Sequence, residues 1–203
     1  MRPTRRTILR SLLLAPPALL GAGSGAPTLA QGTQLPLTPG CGVDFAPTVS
    51  QTAGPYYRPD APLKRDLALN AGDTRRITIF GHVLDTRCRP IPDSTVEIWH
   101  ANEHGDYDHD GYDWRARQIT DRSGRWGFET IVTQHYSFRT AHYHFRVVPP
   151  GSDALITQLY FPDHPLNAVD RLFDPRLVLD LDTTGALARF DFVVLAADRR
   201  RRT

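Results

Sequence analysis

The residues able to do chemistry are concentrated between His100 and Tyr160. His142-Tyr143-His144 lies in the run Ala-His-Tyr-His-Phe-Arg-Val-Val. Strand side chains alternate between faces, so both imidazoles project to one side, close enough to share an ion, and Tyr143 projects to the other. The plainer reading is a pair of hydrogen-bonding structural histidines. Two histidines do not choose a metal, so the neighbouring ligands decide. Tyrosines cluster around this strand at Tyr107, Tyr112, Tyr136 and Tyr143. A phenol has a reference pKa near 10, so tyrosine ligates only a strongly Lewis-acidic hard cation such as Fe(III). If Tyr107 and Tyr136 ligate, the ion is ferric.

Two other constellations compete. His104-Gly105-Asp106 is a His-x-Asp that, with a distal histidine, imitates the two-His-one-carboxylate triad of Fe(II) oxygenases. That triad leaves the tyrosines without a role. Asp106 to Gly111 imitates a calcium loop, but Arg117 stands at position twelve, where a bidentate Glu is needed. A solvated loop is expected there. His82, His100, His109, His135 and His164 read as structural or surface groups, and Trp99, Trp114 and Trp126 as core or rim aromatics.

Several segments together resemble the intradiol ring-cleavage dioxygenases, the family of protocatechuate 3,4-dioxygenase and catechol 1,2-dioxygenase. They are Ser50-Gln51-Thr52-Ala53-Gly54-Pro55-Tyr56-Tyr57, Val96-Glu97-Ile98-Trp99-His100-Ala101-Asn102, Gly105-Asp106-Tyr107, Thr120-Asp121 with Gly124, Tyr136-Ser137-Phe138-Arg139-Thr140-Ala141-His142-Tyr143-His144, and Thr157-Gln158-Leu159-Tyr160-Phe161. Order and spacing match over roughly residues 50 to 162. The resemblance implies a non-haem Fe(III) held by Tyr107, Tyr136, His142 and His144. It implies that Arg139 stabilises negative charge developing on the substrate, which suits a guanidinium that stays ionised at any working pH. Gln158 would back Arg139 by hydrogen bonding, and Gly54, Pro55 and Tyr56 would line the substrate pocket. The implied reaction cleaves a catechol between its two hydroxylated carbons, with both atoms of O2 entering a muconate-type diacid and Tyr136 serving as both ligand and base. Only two residues separate Tyr136 from Arg139, where the well-known catabolic enzymes have a longer loop. This shorter spacing resembles exported single-domain members.

The elements that must position these residues are short β-prone runs separated by turn residues: Ile77 to Leu84, Thr95 to His100, Gly127 to Thr133, His142 to Val148, Ile156 to Phe161 and Ala188 to Leu195. No helical repeat of apolar residues competes. The fold class expected is mainly β, an antiparallel β-sandwich with an extended N-terminal arm and long loops. Residues 31–75, rich in Pro, Gly, Thr and Asp, form the arm, 76–197 the sandwich, and 198–203 a basic tail.

With 203 residues, 40% hydrophobic and 23% charged, the chain has the composition of one soluble globular domain with a short appendage. The formal +2 charge resides at the ends, so it does not argue for nucleic acid. Residues 1–30 read as an export signal: Arg5-Arg6 in a twin-arginine pattern, apolar Leu12 to Leu20, then small residues to Ala30. The apolar run is too short and too proline-broken for a stable membrane anchor. Twin-arginine export carries folded protein, which suits cofactor loading before export to the periplasm or beyond. In an oxidising compartment the two cysteines, Cys41 and Cys88, are expected to be bridged. The partners expected are a small-molecule catechol and O2, with homo-oligomerisation left open. The competing class is an exported, metal-stabilised β-sandwich binding module without catalytic activity.

Overall fold

A computed structural model describes residues 46–69 and 71–195. Its first strand, β1 (Arg76–Asp85), alternates apolar and partly exposed positions until it turns wholly inward at Val83. β1 pairs antiparallel with β4 (Arg125–Ile131) and parallel with both β8 (Leu187–Arg189) and β9 (Phe192–Val194), while β7 (Asp180–Leu181) extends the sheet beyond β8. The second sheet is wholly antiparallel, in the order β3 (Arg115–Ile119), β2 (Thr95–Trp99), β5 (His142–Val148), β6 (Leu155–Tyr160). Ile79, Phe128 and Phe192 from one sheet meet Ile98, Phe145 and Leu159 from the other in one buried cluster. Phe145 touches Trp126 and Phe192 across the gap, each at 5.2 Å between ring centroids. The mainly β, two-sheet sandwich is thus present, with the parallel β8 and β9 pairings departing from the antiparallel rule.

Two differences from the sequence pattern have physical reasons. β3 reads Arg-Ala-Arg-Gln-Ile, too polar to announce a strand, yet its backbone pairs fully with β2 while the Arg117 amide donates to Pro62 of the arm. The run from Ala188 to Leu195 is broken at Phe190-Asp191. There Asp191, fully buried, accepts from the His82 amide at 2.8 Å, and the Phe190 amide donates to Phe80. β1 can pass this close only because Gly81 has no Cβ, which would run into the Phe190 carbonyl.

The register of the second sheet builds the site. Trp99, His144 and Gln158 lie in one row across β2, β5 and β6, and His142 lies opposite Tyr160. Alternation sends Tyr143, Phe145 and Val147 into the core, where the Tyr143 hydroxyl donates to the Ile131 carbonyl at 2.8 Å. The opposite face carries His142, His144 and Arg146. The arm packs along it at β6, where the Gln51 amide donates to Ile156 at 2.7 Å and Gln158 Nε2 donates to the Thr52 carbonyl at 3.0 Å, and farther on it ties to β4 of the other sheet, where Leu67 donates to Glu129 at 2.8 Å. Cys88 is disulfide-bonded. Its expected partner Cys41 lies outside the described residues, as do the export signal and the basic tail. Among the described residues no helix is long and apolar enough to cross a membrane.

His100, at the end of β2, is 1% exposed, with Nδ1 2.7 Å from the Ala101 carbonyl and Nε2 2.7 Å from the Thr130 hydroxyl. The neutral ring satisfies both, donating to the carbonyl and accepting from the hydroxyl. Burial pushes its pKa from 6.5 down to about 4. The folded state therefore resists a proton that the unfolded chain takes up readily. Stability is intact above pH 6.5 and is lost as the pH falls toward about 4, by about 3 kcal/mol from this group alone. Urea unfolding of the metal-free protein at several pH values should show this fall, and His100→Gln protein, whatever its baseline, should show a flatter slope.

Candidate metal centre

His142 and His144 are 4% and 3% exposed, with their Nε2 atoms 3.1 Å apart. His142 Nδ1 donates to the Thr140 carbonyl at 2.6 Å, which leaves Nε2 as an unprotonated lone pair. Trp99, the row neighbour of His144, stacks on its ring at 4.9 Å and 6°. Burial lowers the pKa of both imidazoles, His142 to about 4 and His144 well below the usual value. Both are therefore neutral at pH 7, the protonation state a metal ligand needs.

Tyr107 enters from the loop between β2 and β3. Asn102 Oδ1 accepts the amides of His104 and Asp106, each at 2.9 Å, and Gly105, at φ +88°, brings the loop backbone against the His135 carbonyl where a side chain would collide. The Tyr107 ring is 5% exposed and stacks on Tyr56 at 4.4 Å. Burial raises its pKa well above that of a free phenol, against the pull of Arg139 and Arg115. Tyr136 sits on the tight turn that Arg139 closes by donating its amide to the Tyr136 carbonyl at 2.9 Å, with Ser137 at φ +54°. Its hydroxyl is hydrogen-bonded to that of Tyr56. Ring contacts link the set: Tyr136 to Tyr107 at 5.6 Å, Tyr107 to His144 at 6.2 Å, and His144 to His142 at 4.7 Å.

The donor set suits a hard trivalent ion. Among the described residues no group of three His, Cys, Asp or Glu gathers. An ion held by the two Nε2 atoms would draw its other side-chain donors from Tyr107 and Tyr136, as ferric iron can. Gly54, at φ +69°, leaves room beside them, because a Cβ there would stand 3.3 Å from His144 Cε1 and 3.7 Å from Nε2. Gly54→Ala combines about 1–2 kcal/mol of left-handed strain with pressure on the Cε1–Nε2 edge of His144. Iron titration of the purified variant should show affinity reduced at least about tenfold. Pro55 and Tyr56 follow Gly54 and line a recess of about 350 Å³ with Tyr57, Arg58, His109 and Arg115.

Arg139 reaches the same centre. Its Nη2 donates to Gln158 Oε1 at 2.6 Å, and its Nε lies 3.0 and 2.9 Å from the two carboxylate oxygens of Asp170. Gln158 is fully buried, and its Oε1 also accepts from the Tyr160 hydroxyl at 3.2 Å. The span from Arg139 to Val148 thus supplies the guanidinium and both imidazoles. Asp170 carries no motif and stands 31 residues beyond Arg139, so spacing could not find it. The stack of Trp99 on His144 was open to a register argument, since β2 and β5 pair.

The remaining candidates fall away from the centre. The side chain of His104 is 74% exposed. Asp108 caps its own loop, accepting the amides of Asp110, Gly111 and Asp113. The Tyr112 hydroxyl donates to Pro59 at 3.0 Å, with Arg58 over its ring.

Comparison with known proteins bears on the family and the fold. A family model described as Dioxygenase matches residues 52–194. The protocatechuate 3,4-dioxygenase beta chain of Burkholderia cepacia is 34% identical over 173 residues, covering 68% of this chain and 73% of that one. Catechol 1,2-dioxygenase of Candida albicans is 30% identical over 154 residues, and the match spans about half of that enzyme, 51% of its length. Among solved structures, the dioxygenase domain of a dioxygenase carbohydrate-binding protein fusion from Streptomyces sp. SirexAA-E superposes with a TM-score of 0.72 at 36% identity, covering 75% of this chain and all of that one. The class defined by fold and sequence is a dioxygenase. More narrowly, the chain belongs to the intradiol ring-cleavage dioxygenase family.

Proposed function

We propose that the protein is a non-haem Fe(III) enzyme that cleaves a catechol between its hydroxylated carbons, with both atoms of O2 entering a muconate-type diacid. The observation that carries this reading is the gathering of two neutral, buried imidazoles and two tyrosine rings in one contact network beside a clamped arginine. Tyr107, Tyr136, His142 and His144 would hold the ion. Bound iron would supply Lewis acidity and an electronic route between catecholate and O2, with no external reductant.

The side chains divide the remaining work. Tyr107 is buried and stacked, which suits a fixed ligand. Tyr136 is only partly buried and sits on a short turn, so its oxygen can swing away and accept a catechol proton, with the Tyr56 hydroxyl at hand as hydrogen-bond partner. Gly54 lets the arm backbone approach the Cε1–Nε2 edge of His144, where a side chain would press on the ring. Arg139, held by Gln158, offers a fixed positive charge where negative charge develops on the ring. In the same reading the leader at residues 1–30 takes the folded, loaded protein to the periplasm or outside the cell.

Oxygen uptake with the iron-loaded protein tests the proposal. One O2 consumed per catechol, with a ring-opened diacid as product, is the expected result. Tyrosinate bound to Fe(III) absorbs visible light, so the same sample should be red to burgundy. A colourless, zinc-containing protein inert toward a broad catechol panel would support the binding-module reading instead.

A further inference from the structure

We propose that Asp170 is a positioning residue of this centre, one carboxylate that locks Arg139 and the peptide holding His142 into a single unit. The inference rests on the reading of Arg139 and His142 as site residues. Asp170 follows the short 3-10 turn Pro165–Ala168, and its side chain is 1% exposed. Three donors converge on it. Arg139 Nε bonds both oxygens, the Thr140 amide donates to Oδ2 at 2.9 Å, and the Leu172 amide donates to Oδ1 at 2.9 Å.

The Thr140 contact joins the two halves. Thr140 gives its amide proton to Asp170, while its carbonyl accepts the proton of His142 Nδ1. That second bond fixes which nitrogen of His142 is bare and where it points. A displacement of the carboxylate therefore moves the guanidinium and the imidazole together. On the other side Gln158 completes the frame, tied to the arm at Thr52 and to Tyr160.

A loop staple would need one acceptor for the Leu172 amide, as in an ordinary Asx turn. It would not need a buried ion pair, whose desolvation consumes most of what the attraction returns. The guanidinium side is 14% exposed and the carboxylate 1%, so the pair is a poor source of stability and a good source of orientation. Burial alone would raise the Asp170 pKa, and the bonds from Leu172, Thr140 and Arg139 outweigh it and keep the group ionised. Asparagine at this position has the same shape but only one acceptor, so an N–H must face one of the three donors.

The test combines a double-mutant cycle with a resonance of the metal-free protein. In the iron-loaded enzyme, Asp170→Asn should lower kcat about 100-fold while KM for catechol stays within about threefold. In an Arg139→Met background the same substitution should cost clearly less, about tenfold or below, because only its effect through Thr140 and His142 remains. The visible absorption of the resting enzyme should persist, since all four ligands remain. In metal-free wild-type protein the Arg139 Nε–H should exchange slowly with water, and in Asp170→Asn rapidly. Wild-type turnover in Asp170→Asn overturns the proposal, as does an equal loss in both backgrounds or fast exchange at Arg139 in the wild type. If Asp170→Asn does not fold, the wild-type resonance decides alone. If the wild type turns over no catechol, the proposed function fails, and the exchange measurements still decide whether Asp170 holds Arg139.

Discussion

Tyr107→Phe protein is expected to lose most of its visible absorption and at least about 100-fold in iron affinity, since disturbing the outer partners of a metal ligand alone costs 10–100-fold. Metal-free stability should not fall. The Tyr107 ring is 5% exposed and keeps its stack on Tyr56 when the oxygen is removed, and its hydroxyl has no hydrogen-bond partner among the described residues. Removing a hydroxyl that makes no bond to the described residues should leave stability within about 1 kcal/mol. A higher or unchanged Tm for the metal-free variant, together with lost iron and lost activity, is the signature of a ligand, whereas a structural tyrosine would show the reverse. The sign of the pH dependence follows from the same burial. Because the phenol pKa is raised in the metal-free protein, iron must displace its proton, so affinity weakens as the pH falls. Iron titrations at pH 6 and pH 8, followed by colour, measure this directly.

How much of the site was legible depended on how each residue reaches it. His142 and His144 were readable because a strand's period of two is rigid, and β5 spans the same residues that the sequence run suggested. Tyr107 and Tyr136 come from loops, and no periodicity places a loop residue. They were found through the ordered motifs, and their ring contacts with the histidines emerge only from the fold. Asp170 was invisible because an isolated aspartate after a short 3-10 turn has no pattern, and its role comes from long-range bonds to Arg139 and Thr140. The fold shows the same division. Strands with β-branched or aromatic runs were evident, whereas β3 is held by pairing to β2 and by the arm despite its two arginines. Local propensity in such a strand is overridden by its partners.

The second large effect is expected at Arg139. Of its five donors, Nε–H is taken by Asp170 and one Nη2 hydrogen by Gln158. The Nη1 hydrogens make no hydrogen bond to the described residues and are available to charge that develops on a substrate. Arg139→Met should therefore lower kcat by about 10²–10³-fold, the usual cost of removing a preorganised donor aimed at developing charge. KM for catechol should change far less, because the ring oxygens would bind at the metal and not at the guanidinium. Arg139→Lys should recover little. Lysine keeps the charge but cannot reach Asp170 and Gln158 together through a planar fork, so its ammonium is neither clamped nor aimed. The colour of the iron-loaded protein separates this case from Tyr107→Phe: both arginine variants should remain red while turning over slowly. An Arg139→Lys enzyme as fast as the wild type would show that charge near the ring suffices and that the clamp formed by Asp170 and Gln158 serves packing instead of catalysis.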